Sequence, residues 1–113
     1  MNRRNLNLIV VVMGFTLLLA ATGFAKDATF TGKISDGMCG LKHMMPGLTD
    51  KQCTEACVSK GSKYVLADET HKKVYELSNQ QKPKAFAGEA VVVKGSLEKD
   101  GKTIQVVSIE AAK

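Results

Sequence analysis

Met38, Cys39, His43, Met44, Met45, Cys53 and Cys57 bring seven sulfur or imidazole side chains into one short stretch. The rest of the chain after residue 25 adds only His71. Thiolate and thioether groups select Cu(I), whereas cysteine with histidine in a tetrahedral set suits zinc. Cys53 and Cys57 are four residues apart, so a helix presents both on one face. A loop that folds Cys39 and His43 back over that helix makes a Cys₃His set. Met38, Met44 and Met45 then stand as auxiliary soft ligands that favour Cu(I). The spacing C-x₁₃-C-x₃-C lacks the paired C-x₂-C knuckles of zinc ribbons, so the pattern alone does not choose the metal.

The same residues support a second reading. Three cysteines cannot pair off internally, and in an oxidising compartment a disulfide from Cys39 to Cys53 or to Cys57 staples the loop to the helix. Closing such a loop contributes about 3 kcal/mol. Cys53 with Cys57 is the poorest pair, because a regular helical turn holds the two side chains badly for disulfide geometry. The thiol left over is either buried or joins two copies into a dimer. In this reading the methionines are apolar gap-fillers. Catalysis has less support: Cys39 and His43 have no orienting third group, and no C-x-x-C redox pair is present.

The compartment follows from the first residues. Arg3 and Arg4 precede an apolar run from Leu8 to Ala21, and Gly23-Phe24-Ala25 supplies small residues at the −3 and −1 positions of a cleavage site. Residues 1–25 therefore read as a Sec-type signal peptide. The run is shorter than the ~20 residues that span a bilayer, so no stable membrane insertion is expected after cleavage. The product, residues 26–113, is one small domain working in the periplasm or outside the cell. The formal net charge of the whole chain is +5, and past Arg4 every basic residue is a lysine interspersed with acids. That is a solvated surface rather than a nucleic-acid footprint. Tyr64 and Tyr75, with Lys63, Lys72 and Lys73, are the candidate stacking and phosphate groups for an oligonucleotide. No nucleic-acid partner is expected, and an envelope protein or glycan is the alternative.

The elements that position the cluster are legible from periodicity. Ala28, Phe30, Gly32 and Ile34 alternate with polar residues, predicting a strand that stops at Asp36. Gly37, Gly40, Pro46 and Gly47 mark a loop. Thr49 and Gln52 form a capping box that starts a helix, Gly61 ends it, and its inner face is Cys53, Ala56 and Cys57. Tyr64–Ala67 and Lys73–Ser78 predict a hairpin through the turn Asp68-Glu69-Thr70-His71, in which His71 faces solvent. A short helix or turn occupies residues 79–88. Ala90–Leu97 and Thr103–Ile109 form a second hairpin around Asp100-Gly101, with a bulge or two-sided burial at Val106-Val107. Five strands in this order predict a mainly β protein, an OB-like Greek-key barrel with a cysteine-bearing loop and helix after the first strand. A small open antiparallel sheet crossed by one helix is the alternative.

The stretch from Thr31 to Met45, with Cys53, Cys57, Gly61-Ser62-Lys63-Tyr64-Val65-Leu66 and a valine-rich final hairpin, resembles a group of small exported bacterial proteins of uncharacterised function found in Acidobacteria. The distinctive D-x-x-C-G-x-x-H pattern with two downstream cysteines falls on Asp36, Cys39, Gly40, His43, Cys53 and Cys57. The resemblance implies export, small size and the grouping of the cysteines, and it brings no activity. The expectation is a non-enzymatic binding protein for copper or zinc, against a disulfide-stapled envelope interaction module without metal.

Overall fold

The computed structural model describes residues 27–42 and 45–113. The expected signal peptide, His43 and Met44 lie outside the described residues. Among the described residues five strands and two helices follow in the order expected: β1 (Ala28–Asp36), α1 (Asp50–Ser59), β2 (Tyr64–Asp68), β3 (Lys73–Leu77), a 3₁₀ helix (Lys82–Phe86), β4 (Ala90–Leu97) and β5 (Thr103–Ala111). Among the described residues no helix is long and apolar enough to cross a membrane.

The protein is mainly β, and its strands are hydrogen-bonded in a closed ring, β1-β2-β3-β5-β4 and back to β1. All neighbours are antiparallel except β3 and β5, which run parallel with Leu77 opposite Ile104. Among the described residues each strand of the ring has a hydrogen-bonded neighbour on both sides, which removes the usual template for edge-to-edge association. The interior is filled by Ile34, Leu66, Tyr75, Leu77, Val91, Val93 and Ile104, with Tyr64 and Ala87 in the same cluster. Phe30 meets Tyr75 edge to face, ring centroids 5.4 Å apart. Both tyrosines therefore belong to the core, and neither offers an open ring face for stacking.

The local signals resolve as follows. Thr49 caps α1: its hydroxyl accepts from Gln52 N at 3.2 Å, and the Gln52 side chain accepts from Thr49 N at 3.0 Å. Three backbone donors, from Lys60, Gly61 and Ser62, close the far end on the carbonyls of Cys57 and Val58. The expected irregularity near Val106 is a bulge. Lys94 pairs with Ser108 and Gly95 with Val106, so Val107 is the extra residue and turns outward. His71 is exposed, 70% by side chain, yet its Nδ1 lies 2.7 Å from Asp68 Oδ2.

Two departures bear on the site. The alternation of β1 breaks at its end, where Ile34, Ser35 and Asp36 are all buried. The segment after β1 folds back over this end, so both faces are covered there. On α1 the buried residues are Cys53, Thr54 and Cys57, with Ala56 only half-buried. The helix is therefore rotated slightly from the expected face. Its first turn lies against Gly88, where a Cβ would collide with the backbone of Asp50 and Lys51. Gly88 also has φ +76°, a conformation other residues rarely adopt. This glycine lets the helix sit close enough to β1 to bring its cysteines to the strand end.

Candidate metal centre

The centre begins with a turn. Asp36 closes β1, and its Oδ2 accepts hydrogen bonds from Met38 N and Cys39 N, each 3.0 Å long. Its backbone carbonyl accepts from Gly40 N at 2.8 Å, and Ser35 Oγ donates to the Gly40 carbonyl at 2.8 Å. Gly40 has φ +57°, which the turn requires. Aspartate is well suited to this position, because its short carboxylate reaches the amides two and three residues ahead. The result is a tightly wound loop that turns Cys39 inward.

Cys39 Sγ lies 3.6 Å from Cys53 Sγ and 3.9 Å from Cys57 Sγ. The helical spacing of Cys53 and Cys57 places both on the face of α1 toward β1, as expected from the sequence. One ligand atom each from Asp36, Cys39, Cys53 and Cys57 lies within 4.8 Å of the others. Asp36 and Cys53 are 0% exposed and Cys57 1%, while Cys39 is half-buried and forms the outer side of the group. Both closest sulfur pairs stand far beyond the ~2.05 Å of a disulfide bond. The stapling disulfide from Cys39 to Cys53 or Cys57 is thus not formed here: the turn sets the sulfurs at contact distance, where one atom can still lie between them.

Asp36 Oδ1 is the decisive atom. It is fully buried and, apart from a weak contact that the Cys57 thiol makes with the carboxylate, has no hydrogen-bond partner, whereas Oδ2 satisfies two backbone donors. Such an oxygen costs about 1–3 kcal/mol unless something compensates it. The side chains grouped with Asp36 are thiols, which are weak donors. The Cys57 thiol is pushed up to about 12, first by burial, then by its contact with Cys39 and by the charge of Asp36, with which it makes only a weak S–H contact. Without a cation, this environment opposes the thiolate form.

The sequence-predicted ligands are thus only partly assembled. Cys39, Cys53 and Cys57 converge. His43 and Met44 lie outside the described residues, Met45 is half-buried, and the Met38 side chain is 68% exposed while its backbone serves the Asp36 turn. The fourth member of the group is Asp36, which in the sequence is the end of a strand and part of the resemblance. Its signal was the spacing D-x-x-C, which allows one carboxylate both to cap the turn and to face the cysteine it positions. Comparison of the chain with protein-family models, curated proteins and solved structures found no match.

Proposed function

We propose that the chain is a small exported metal-binding protein, an OB-like Greek-key barrel that holds one thiophilic divalent ion, zinc in preference to copper, at Asp36, Cys39, Cys53 and Cys57. The observation that carries the reading is Asp36 Oδ1, a buried oxygen with no strong hydrogen-bond donor, on a carboxylate grouped with three thiols. The ring order β1-β2-β3-β5-β4, with one parallel pair, supports the OB-like topology. The expected signal peptide supports a periplasmic or extracellular site of action.

Zinc fits the donor chemistry. A tetrahedral ion with Zn–S bonds of about 2.3 Å has S–S edges of about 3.8 Å, and it accepts a carboxylate oxygen at about 2.0–2.2 Å. The two short sulfur separations, 3.6 and 3.9 Å, bracket that edge. Cu(I) prefers sulfur alone, and a carboxylate is a hard donor for it. Three thiolates with one carboxylate complete a four-coordinate set and leave no position for a reactive water. The site therefore binds and holds rather than hydrolyses.

Native mass spectrometry of the purified protein with added zinc, followed by thiol alkylation after denaturation, tests this. One bound zinc and three alkylatable cysteines are expected. A metal-free mass with a single alkylatable cysteine overturns the proposal and favours the stapled module with an envelope protein or glycan partner.

A further inference from the structure

The three thiols differ in access, and that difference orders what an oxidant can do at the site. Cys53 is 0% and Cys57 1% exposed, whereas Cys39 is half-buried at the outer side of the group. Cys39 is also common to both short sulfur contacts, at 3.6 Å to Cys53 and 3.9 Å to Cys57. Cys53 and Cys57 are related by one turn of a regular helix, an arrangement poorly matched to a disulfide. Any internal disulfide must then pass through Cys39.

The geometry points to a thiol-gated site: a small-molecule disulfide oxidises Cys39, Cys53 resolves it, and the bound ion is released. This rests on the metal-binding reading above. The exchange is balanced. The Cys39 sulfur attacks one sulfur of RSSR, forming Cys39–S–SR and expelling RS⁻. The Cys53 sulfur then attacks the Cys39 sulfur, giving Cys39–S–S–Cys53 and a second RS⁻. Two protein thiols are oxidised, one disulfide is reduced to two thiols, and the thiol protons pass to solvent or to the leaving thiolates. Cys53 is assigned the resolving role because its sulfur is the nearer of the two.

The stoichiometry of the site makes the step decisive. Four donors become two, the Cys57 sulfur and the Asp36 carboxylate, and two donors do not hold a tetrahedral ion. An odd number of cysteines, which blocks complete internal pairing, here leaves one thiol ready to rebind the metal after reduction. The backbone does not have to unfold for this, because the turn at Asp36 is held by backbone and carboxylate hydrogen bonds that the cysteine sulfurs do not make.

The test uses the zinc-loaded and the metal-free protein, each treated with oxidised glutathione. Zinc release is read with a chromogenic chelator and the protein by intact mass and peptide mapping. The expected result is loss of one zinc, a mass lower by two hydrogens, no lasting glutathione adduct, and a Cys39–Cys53 linkage. In Cys53→Ser a glutathione adduct at Cys39 accumulates, and in Cys39→Ser oxidation of the helix thiols slows by about tenfold or more. A Cys53–Cys57 linkage, a Cys39–Cys57 linkage in the wild type, or zinc loss without any disulfide overturns the inference. If the protein takes up no zinc yet metal-free protein forms Cys39–Cys53, the metal reading fails while the thiol order stands. If zinc binds and oxidised glutathione leaves it in place with all three thiols intact, the gating fails while the metal reading stands.

Discussion

Replacing Asp36 by asparagine separates a metal ligand from a turn residue, because the two roles use different oxygens. The asparagine carbonyl oxygen can take over Oδ2 and keep the hydrogen bonds from Met38 N and Cys39 N. The amide nitrogen then takes the place of Oδ1, the buried oxygen without a partner. Structural zinc sites bind with about 10–16 kcal/mol, an average of about 2.5–4 kcal/mol for each of four ligands. Loss of the carboxylate should therefore weaken zinc binding on the order of 10²–10³-fold. In the metal-free protein the effect reverses. Removing an unsatisfied buried carboxylate oxygen recovers part of a cost of about 1–3 kcal/mol, and about 1 kcal/mol corresponds to about 4–8 °C in melting temperature for a domain of this size. Competition titration against a zinc chelator and thermal melts with and without metal read both quantities. The crossed result, weaker zinc and a higher metal-free melting temperature, is specific to a ligand. Asp36→Ala, which also removes both turn hydrogen bonds, should lower both. Zinc affinity within about threefold of wild type in Asp36→Asn would refute the assignment of Oδ1 as a ligand atom.

The remaining expectations concern protons, packing and local opening. Zinc binding should release protons at neutral pH, since Cys57 is otherwise held protonated with its thiol at about 12; calorimetry in buffers of different ionisation enthalpy measures the number, and a value near zero contradicts thiolate ligation. For the same reason, metal-free protein should lose stability as pH rises from about 9 toward 12, because a raised thiol favours the folded state below its unfolded value and that contribution fades through the folded one. At Asp68, burial alone raises the carboxyl, but the hydrogen bonds and charge of His71 outweigh it and the net shift is downward. Its stabilisation is thus present above pH 3.8 and lost as pH falls through the lowered value, so His71→Ala should begin to melt at higher pH on acidification, with a difference of about 1 kcal/mol or less; coincident acid profiles would exclude the pair. Gly88→Ala should cost about 2–3 kcal/mol and weaken zinc binding together, because the added carbon meets the backbone under α1; loss of stability with unchanged zinc affinity would show that helix placement does not set the site. Amides of α1 should exchange faster than those of β4 without metal and approach them with zinc, and equal protection in metal-free protein would contradict a metal-fastened helix.

Much of this architecture was open to inspection in the sequence because its signals are local. Period-two alternation, the Thr49–Gln52 capping box and Asp100-Gly101 each act over a few residues, and all fall where expected. Adjacent valines at 106 and 107 put apolar groups on both faces, which leaves a bulge or two-sided burial open, and the ladder register settles on the bulge. What escaped were consequences of tertiary coverage. In the sequence Asp36 marks only where the strand pattern stops, and its burial, which leaves Oδ1 without access to water, comes from the loop that folds over it. The identity of the fourth donor likewise depends on the turn. His43, four residues beyond Cys39, is the natural choice by residue type, while Asp36 is the one held against the thiols by two backbone hydrogen bonds.

The connection between β1 and β2 shows what the site does for the fold and the fold for the site. These strands are antiparallel neighbours, with Asp36 opposite Tyr64, so a turn of a few residues would join them. Instead residues 37–63 intervene and carry all three cysteines. Ordering such a segment costs backbone entropy at every residue, and its own apolar content returns little. The side chains α1 buries are Cys53, Thr54 and Cys57, the Thr54 hydroxyl has no partner, and Val58 packs only partly against the core. The Lys33–Asp50 bridge at 3.3 Å is nearly half exposed at both ends and contributes little. A ten-residue helix is marginal by itself. An ion shared by Asp36 and Cys39 on one side and Cys53 and Cys57 on the other joins the strand end to the helix where apolar contact is scarce. On the metal-binding reading, the ring supplies the strand end and the intervening segment should be most stable when the site is filled. Filling the site and fastening this segment are then coupled, so removal of the ion by chelation should loosen α1 while leaving the ring intact, whereas oxidation to a Cys39–Cys53 disulfide should release the ion yet keep the helix tied to the turn.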